Sequence, residues 1–327
     1  MNAPRISEAN PIDDDSDVRI FVGAHKHEQL ALKVLEYSIV RHTDLAVAVR
    51  TVDNSLAPMP ADPRYAPYTR FSYGRFAIPK LVGYRGRAIY MDSDMLVFRD
   101  IAEVWNTPFD GAKVLIEQQT DRSRKRGRST AFMMMDCAAL RWDPEEIIAG
   151  LGVKYDYEQL MSIDPLLAAG DLRDGLPLGW NSLDRVNDDT RLLHFTRVRT
   201  QPWVYPLHPL GPLWTAEVKR MLEDGALTAA EVRAEVDCGH VRPSLLVEIG
   251  EDETRYAGDL TPKGLQALDR SAGFVPHREL RASIERREAA RAERERELDP
   301  KGYEWKARWR RWGKFWRHPV RNLLNPL

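Results

Sequence analysis

The first fifty residues of the chain show two different spacings of apolar side chains. Residues 18–22 form a short, largely apolar run that ends at Gly23, which is typical of a buried strand. From residue 28 to residue 41 the apolar positions recur at helical spacing, at Leu30, Val34, Leu35 and Ile39. The pattern therefore predicts a strand followed by a helix.

The same alternation continues to residue 136. Further strands are predicted at residues 45–52, 88–91, 114–117 and 131–136, with a partly helical segment at residues 73–82, a proline-rich loop at residues 56–68 and a basic loop at residues 121–128. Alternating strands and helices predict an α/β fold with a mostly parallel central sheet. Such sheets bind ligands beyond the carboxyl ends of their strands, so Gly23 and Asp92, which both end predicted strands, are expected to share one crevice.

The pattern changes after Trp214. Helices are predicted near residues 216–222 and at residues 228–236, where Thr228 and Glu231 have the spacing of a capping box. Interspersed Arg and Glu at residues 278–297 predict a solvated helix with intrahelical ion pairs. We therefore divide the chain into a disordered N-terminus (1–17), a main domain (18–215), a C-terminal extension (216–277) and a charged helix with a basic, aromatic tail (278–327).

Composition narrows the class of protein. The formal net charge of the 327 residues is -1, so no overall field favours a nucleic-acid partner. No apolar run approaches the roughly 20 residues that span a bilayer, and residues 1–17 lack the apolar core of a secretory signal. The two cysteines, Cys137 and Cys238, have no metal-ligand spacing and are expected to be reduced thiols. These features predict a cytoplasmic protein.

A pair of carboxylates follows the predicted strand at residues 88–91. Alternate positions of an extended chain point the same way, so Asp92 and Asp94 can converge on one cation. Oxygen ligands of this kind suit Mg²⁺ or Mn²⁺, which keep open positions for phosphate oxygens. The alternative is a solvated turn after a strand. Apolar residues on both sides favour the metal, because two close, half-buried carboxylates need a counter-charge.

The residues around this pair resemble glycosyltransferase family 8, which includes bacterial lipopolysaccharide galactosyl- and glucosyltransferases and the glycogenins. The resemblance spans about residues 18–203 and depends on residues 73–76 (Tyr-Gly-Arg-Phe), Pro79, residues 88–101 (Ala-Ile-Tyr-Met-Asp-Ser-Asp-Met-Leu-Val-Phe-Arg-Asp-Ile) and Trp105. It implies a GT-A fold, here with a C-terminal helical extension, in which residues 18–215 are the catalytic domain. It also implies transfer of a hexose from a UDP-sugar, UDP-glucose or UDP-galactose, to a glycan or lipid-linked acceptor, with Mn²⁺ or Mg²⁺.

Residues 192–203 (Leu-Leu-His-Phe-Thr-Arg-Val-Arg-Thr-Gln-Pro-Trp) extend the resemblance. It implies that His194 is the third metal ligand; a histidine behind two leucines is otherwise more often a satisfied core residue. The family usually has a Lys that reaches the diphosphate directly before Pro-Trp, and Gln201 stands there instead. Arg197 or Arg199 is then expected to supply the missing charge, with a solvated position for both as the alternative.

The resemblance implies further donor contacts, made by Arg75, by Ser93 between the aspartates, and by backbone groups at the first strand end, namely Val22, Gly23 and Ala24. For Arg75 the alternative is a charge on a helix surface. The triplet at residues 129–131 (Ser-Thr-Ala) replaces the family's Asn-Ala-Gly or Asn-Ser-Gly, so that contact with the donor sugar is altered.

Glu158 and Gln159 fall where the family has an Asp-Gln pair beside the reacting carbon of the sugar. Asp156 is an alternative to Glu158, and an amphipathic helix surface is the alternative for both residues. Because the family retains anomeric configuration and no carboxylate nucleophile is evident, we favour a front-face route in which the leaving phosphate helps to deprotonate the acceptor. Gln159 would then be a polar support.

The tail interleaves basic residues with tryptophans, among them Trp305, Trp309, Trp312 and Trp316. This composition suits an anionic membrane surface, and the related bacterial enzymes also end in basic, aromatic segments used for membrane attachment. Nucleic acid and packing against the protein body are the alternatives, but no upstream segment resembles a nucleic-acid module.

Two other activities compete with sugar transfer. One is a non-catalytic glycan- or lipid-binding protein that retains the GT-A fold, which the replaced Lys and Asn positions favour. The other is a metal-dependent phosphodiesterase, but that class usually needs two adjacent metals and more ligands than are evident here.

Overall fold

The computed structural model describes residues 18–52, 56–65, 71–117, 129–251, 261–298, 300, 301 and 304. The predicted disordered segment 1–17, the basic loop 121–128 and the tryptophans of the tail lie outside these residues. The strands, numbered along the chain, are β1 (Val18–Gly23), β2 (Val47–Val52), β3 (Arg87–Asp92), β4 (Met95–Val97), β5 (Val114–Glu117), β6 (Phe132–Asp136), β7 (Leu172–Leu176), β8 (Ser182–Leu183) and β9 (Leu192–His194).

The α-helices are α1 (Gln29–Val40), α2 (Phe71–Gly74), α3 (Ile78–Leu81), α4 (Ala102–Trp105), α5 (Pro144–Ala149), α6 (Tyr157–Ser162), α7 (Gly211–Glu223), α8 (Ala229–Asp237), α9 (Ser244–Glu248), α10 (Pro262–Ser271) and α11 (Arg281–Leu298). The segment predicted to be partly helical at residues 73–82 is two short helices, α2 and α3, joined by a 3-10 turn at Arg75–Ala77. Each strand predicted before residue 137 has a counterpart within two residues of its expected bounds.

Within the described residues the larger sheet has the order β2-β1-β3-β6-β5-β7. Strand β1 pairs in parallel with β2 and β3, and β5 pairs in parallel with β7, whereas β6 runs antiparallel to β3 and β5. The predicted α/β fold with a mostly parallel sheet is therefore confirmed. Gly23 and Asp92 are register partners at the carboxyl ends of β1 and β3, so both strands end at the same crevice.

Side chains on both faces of this sheet are buried. Phe21 and Tyr90 belong to the apolar cluster on one face, and Ile20 and Ile89 belong to the cluster on the other. Successive strand residues point to opposite faces, so a strand covered on both sides needs an apolar run without polar alternation. The uninterrupted apolar run at residues 88–91 therefore indicates that β3 lies near the middle of the sheet.

A third apolar cluster joins α1 to helices of the C-terminal extension. It includes Val34 of α1, Trp203, Trp214 and Val218 of α7, and Val232 of α8, all buried. Two ion pairs border it: Lys33 Nζ lies 2.6 Å from Glu231 Oε1, and Arg41 Nε lies 2.5 Å from Glu217 Oε1. The predicted boundary at residue 215 falls inside α7. The domain division stays a prediction.

The chain separates into one compact unit that ends at Arg278 and a second that begins at Glu279. Helix α11 belongs to the second unit and corresponds to the charged helix predicted at residues 278–297. Arg281 Nε lies 3.0 Å from Glu285 Oε1, one helical turn away, as the charge pattern predicts. Among the described helices, none is both long and apolar enough to cross a membrane.

Both cysteines are free thiols, as predicted. Cys137 follows β6 and is completely buried, and burial raises its pKa to about 12. Cys238 follows α8 and is exposed. No disulfide therefore links the main domain to the extension.

The capping box predicted at α8 is present. Thr228 Oγ1 accepts a hydrogen bond from the Glu231 backbone N–H (3.3 Å), and Glu231 Oε2 accepts one from the Thr228 backbone N–H (2.8 Å). We expect Thr228→Ala to lower the free energy of unfolding by about 1 kcal/mol, because the cap is lost. Urea denaturation measures this difference. Thr228→Ser keeps the hydroxyl, and an equal loss in that variant would contradict the capping role.

Candidate metal and donor site

The site begins where β3 leaves the sheet. Asp92 pairs with Gly23, its backbone N–H donates to the carbonyl of Ala131 (3.1 Å), and the N–H of Ser93 donates to the carbonyl of Gly23 (3.1 Å). These bonds continue the sheet past its last regular residue. The direction of the chain at the two aspartates is therefore fixed by backbone contacts on both sides.

The second sheet brings His194 to the aspartates. Strand β4 follows Asp94 directly and runs antiparallel to β9, so that Met95 pairs with His194, and the Phe195 N–H donates to the carbonyl of Asp94 (2.8 Å). One ligand atom from each of Asp92, Asp94 and His194 lies within 4.8 Å of the others. The His194 Nε2 atom is 3.1 Å from Asp94 Oδ1. The three residues predicted as metal ligands thus converge, although they span more than one hundred positions of sequence.

Electrostatics at this cluster favour a cation. Burial raises the pKa of Asp92, and Asp94 adds to the rise against the opposing effect of Arg75. Burial alone would lower the pKa of His194, but Asp94 and Asp92 raise it overall, so the imidazole is drawn toward its charged form. Asp94 Oδ1 is buried and makes no hydrogen bond, although His194 Nε2 lies beside it. Two carboxylates and an imidazole that converge in this way together fit a divalent cation.

Each predicted ligand also has a second polar neighbour that fixes its orientation. The Tyr90 hydroxyl donates to Asp92 Oδ1 (2.6 Å), Gln201 Nε2 donates to Asp94 Oδ2 (2.8 Å), and His194 Nδ1 lies 3.0 Å from Asn181 Oδ1. An amide oxygen only accepts hydrogen bonds, so a bond at this contact requires a proton on Nδ1, and Nε2 faces Asp94. Outer contacts of this type orient the ligands of metal sites.

Gln201 is the residue that the resemblance places at the position of the family's diphosphate-binding Lys. It is fully buried and donates to Asp94 and to the carbonyl of Phe195 (3.3 Å), and its Oε1 atom is buried without a hydrogen-bond partner. Arg197 and Arg199, the predicted substitutes for the Lys, are both exposed on the turn after His194. Arg197 Nε lies 3.8 Å from Asp184 Oδ2. The diphosphate roles of all three residues stay predictions.

Arg75 is buried, so the alternative of a surface charge is wrong. Its Nε donates to the carbonyl of Ser72 (3.0 Å), its Nη1 donates to the carbonyl (2.9 Å) and the hydroxyl (3.1 Å) of Thr130, and its Nη2 lies 3.5 Å from Asp92 Oδ1. The guanidinium also lies over the Tyr90 ring, 4.3 Å from its centroid. Arg75 therefore joins the altered donor triplet to the predicted metal ligand.

Helix α6 carries Glu158 and Gln159, and both side chains are exposed. Gln159 Oε1 accepts from the Asp156 backbone N–H (2.9 Å), and Asp156 Oδ1 accepts from the Gln159 N–H (3.0 Å), so the pair forms the capping box of α6. Asp156 is thereby the N-cap of this helix. The carbonyl of Met161, on the same helix, accepts from the hydroxyl of Thr130 (2.6 Å), which brings α6 beside the Arg75 neighbourhood.

At the end of β1, Val22 is buried and Ala24 is half-buried. Gly23 lies between them at the shared strand edge. The position agrees with a donor contact at this edge, and the contact itself stays a prediction.

Glu28 also belongs to this site, although the sequence pattern did not indicate it. This buried residue precedes α1, and its Oε2 accepts from the Ser93 hydroxyl (3.1 Å) and the His25 backbone N–H (2.8 Å). Burial raises its pKa to about 7, and Asp94 adds to this effect. In the sequence, a glutamate at the start of an amphipathic helix is indistinguishable from an ordinary first-turn acid.

Glu28 should make the stability of the metal-free protein depend on pH. Its pKa is raised from 4.5 to about 7, so its contribution is complete below pH 4.5 and is lost as pH rises through 7. We expect the unfolding free energy of the wild type to fall by about 3 kcal/mol over this interval relative to Glu28→Gln, which cannot ionise. Denaturant titrations at several pH values measure the difference. Glu223→Gln, an exposed control, should retain the wild-type profile; a Glu28→Gln profile parallel to the wild type would contradict the assignment.

Residues 25–138 match the sequence model of glycosyl transferase family 8. Among curated proteins, the chain is similar to Protein CDI of Arabidopsis thaliana, with 32% identity over 90 residues. That alignment covers 26% of this chain and 35% of the relative. The chain thus spans about a third of the length of this relative.

Among solved structures, the chain is similar to the apo form of the bifunctional glycosyltransferase WbbM, with 13% identity, a TM-score of 0.50, and coverage of 64% of this chain and 50% of that one. It is also similar to the galactosyltransferase LgtC in complex with donor and acceptor sugar analogues (14% identity, TM-score 0.47, coverage 67% and 100%). A further similar structure is GlyE of Streptococcus pneumoniae TIGR4 (11% identity, TM-score 0.48, coverage 70% and 65%). The predicted resemblance is confirmed in these terms: the chain has the GT-A fold, and its residues 25–138 match the model of glycosyl transferase family 8.

Proposed function

We propose that the chain is a metal-dependent, retaining glycosyltransferase that moves a hexose from a UDP-sugar to a glycan or glycolipid acceptor. The observation that carries this proposal is the convergence of Asp92, Asp94 and His194 within 4.8 Å at the carboxyl edge of β3. The family segment at residues 25–138 supports the reaction class. Protein CDI and WbbM are each only partly spanned by this chain, so neither relative supplies its substrates.

In this proposal Asp92, Asp94 and His194 hold Mn²⁺ or Mg²⁺. The bound cation offsets the negative charge that develops on the departing nucleoside diphosphate. Gln201 orients Asp94 by bonding its Oδ2, which leaves Oδ1 for the cation. Arg75 and the Tyr90 hydroxyl hold Asp92 in the same way. The chain thus preorganises the ligands before the donor arrives.

The donor would lie along the edge formed by β1 and β3. We assign Val22, Gly23 and Ala24 to the base and ribose, Ser93 to the same edge, and Arg197 or Arg199 to the diphosphate. The two arginines are exposed on the turn after His194, where a forked guanidinium contact with phosphate is sterically accessible. Because Gln201 is engaged with Asp94, we assign it to the metal ligand rather than to the phosphate.

For the transfer step we keep the front-face route, in which the leaving phosphate oxygen takes the acceptor proton. Gln159 would support the sugar through its amide NH₂ group, since its Oε1 atom is occupied by the capping box of α6. Glu158, the neighbouring exposed carboxylate, is the second candidate. This arrangement predicts that Gln159 contributes a hydrogen bond and no covalent intermediate.

Donor binding and turnover test the proposal separately. UDP-glucose and UDP-galactose are screened by thermal shift with and without Mn²⁺, and hydrolysis of each donor is then followed without acceptor. We expect one donor to raise the melting temperature only with the metal and to be hydrolysed slowly. Metal-dependent binding without any hydrolysis would favour the non-catalytic binding protein. If neither donor bound with either metal, the UDP-sugar assignment would be wrong.

We also propose that the tail bearing Trp305, Trp309, Trp312 and Trp316 binds an anionic membrane surface. Its interleaved rings and cations support this, since tryptophan prefers the interface and Lys and Arg pair with anionic headgroups. Flotation with anionic and neutral liposomes compares the full chain with one that ends near Asp299. Loss of flotation in the shorter chain is expected, and equal flotation would remove the proposal.

A further inference from the structure

Glu117 is a buried acid that the proposed reaction does not use. It ends β5, and only 8% of its surface is exposed. Its Oε1 atom accepts a short hydrogen bond from the backbone N–H of Gly179, and the neighbouring N–H groups of Trp180 and Asn181 also favour its charged form. Burial nevertheless raises the pKa of Glu117. A buried carboxylate that faces three consecutive amides restrains the path of the backbone that supplies them.

The segment held by Glu117 is restrained in other ways as well. Gly179 has a φ of +89°, and a Cβ there would meet the carbonyl oxygen of Asp189 at 2.0 Å, so only glycine fits. The Trp180 ring stacks on Phe132, with centroids 5.8 Å apart. Its indole Nε1 donates to Glu103 Oε2 (3.3 Å). Asn181 therefore extends from a backbone with little freedom to shift.

Asn181 connects this segment to the site. It is buried, and its Oδ1 atom lies 3.0 Å from His194 Nδ1. The next two residues form β8, in which Ser182 and Leu183 pair with Leu193 and His194. The Asn181 side chain contacts His194 of β9, and the backbone of the next two residues pairs with the same strand. A displacement of the Asn181 backbone would move the acceptor that faces Nδ1 of His194.

We propose that Glu117 and Asn181 are positioning residues that fix the tautomer and orientation of His194. Asn181 Oδ1 accepts a hydrogen bond from the Nδ1–H group of His194, and Glu117 holds the Asn181 backbone in the position from which it does so. The inference deepens the proposed function, because an imidazole with its Nε2 lone pair directed at Asp92 and Asp94 is the form that binds a cation. Outer residues of this kind typically change metal affinity by about 10- to 100-fold.

The first test needs no metal. Protein labelled with ¹⁵N-histidine is examined by NMR at alkaline pH, where the imidazole is neutral, and His194→Gln identifies the resonances. We expect the proton on Nδ1 in the wild type and in Asn181→Asp, which keeps an acceptor oxygen. In Asn181→Leu and Glu117→Gln the tautomers should mix. Wild-type His194 with its proton on Nε2, or an unchanged tautomer in both disruptive variants, would overturn the inference.

The second test measures the dissociation constant of Mn²⁺ by paramagnetic resonance of the free ion. We expect Asn181→Leu to weaken binding about 10- to 100-fold and Glu117→Gln to weaken it less. The double variant should be no weaker than Asn181→Leu, because Glu117 acts through Asn181. Glu223→Gln is the control, since Glu223 is an exposed glutamate at the end of α7 that takes no part in holding this segment. Additive losses in the double variant, or an equal loss in the control, would contradict the inference.

The two tests separate this inference from the proposed function. A wild-type protein that has the expected Nδ1–H tautomer but binds neither Mn²⁺ nor Mg²⁺ would refute the metal assignment and leave the positioning role intact. A protein that binds Mn²⁺ equally well in all the variants would refute the positioning role alone. Circular dichroism of each variant checks that it is folded, and Glu117→Gln keeps the test decisive if Asn181→Leu does not fold.

Discussion

Asp94→Asn is expected to lower kcat/KM for the donor by on the order of 10³-fold or more, without unfolding the protein. The substitution removes one of the two carboxylates from the predicted metal site, and with it a negative charge that would balance the charge of the cation. Asp94 Oδ1 is buried without a hydrogen-bond partner, whereas Oδ2 accepts from Gln201. An asparagine can keep the bond to Gln201 through its own oxygen, and it removes repulsion from Asp92. Asp94 also raises the pKa of His194, so stability should be maintained or slightly raised at alkaline pH, where that imidazole is neutral.

Metal-dependent hydrolysis of the preferred UDP-sugar measures the loss, and thermal unfolding in EDTA measures stability. Asp44→Asn is the matched control, since Asp44 is exposed just before β2, at the opposite end of the sheet from Asp92. Its rate should equal that of the wild type. A rate for Asp94→Asn within a few-fold of the wild type would show that no essential cation is held there.

Arg75→Met should have the largest effect on stability, a loss of about 3 kcal/mol or more in the free energy of unfolding. Its guanidinium is buried, and it lies 3.5 Å from Asp92 Oδ1 while it donates to Ser72 and Thr130. Removing one member of a buried ion pair leaves the other charge uncompensated, and the carbonyls lose their donor. Because protonation of Asp92 would relieve part of this cost, the loss should shrink as pH falls.

Urea denaturation of four proteins tests this explanation: the wild type, Arg75→Met, Asp92→Asn and the double variant. We expect a positive coupling, with Arg75→Met costing less once Asp92 is neutral. Arg99→Met, at an exposed position, should change stability by no more than about 0.5 kcal/mol. Strictly additive effects would mean that Arg75 stabilises the fold through Ser72 and Thr130 alone.

Much of the sheet could be predicted from the sequence. Apolar runs located β1, β3, β5 and β6, because strands buried on both faces need such runs. The shared edge of Gly23 and Asp92 was predicted from the end positions of their strands, and their register confirms it. The antiparallel direction of β6 was not predicted, since an apolar run does not indicate in which direction a strand runs in the sheet. Helices α9 and α10 lie in the region after residue 236 that the apolar pattern left unplaced.

The metal site could be predicted only in part from the sequence. The alternation of Asp92 and Asp94 suggested one cation, but His194 was singled out through the family resemblance. Its neighbours were not foreseeable, since Gln201 meets Asp94 across 107 positions and Glu28 meets Ser93 across 65. Such pairs depend on how β4 and β9 are joined and on where α1 begins. Local patterns of polarity contain no information about contacts of that range.

The two thiols differ enough in exposure for one of them to be labelled selectively with a spectroscopic probe. Cys137 is completely buried with a pKa of about 12, whereas Cys238 is exposed. A maleimide dye should therefore attach at Cys238 alone, with no cysteine removed beforehand. The segment just beyond it contacts the start of α1, where the rings of His27 and His240 lie 4.8 Å apart. A fluorophore there would report local rearrangement near the proposed donor edge while both cysteines of the chain are kept.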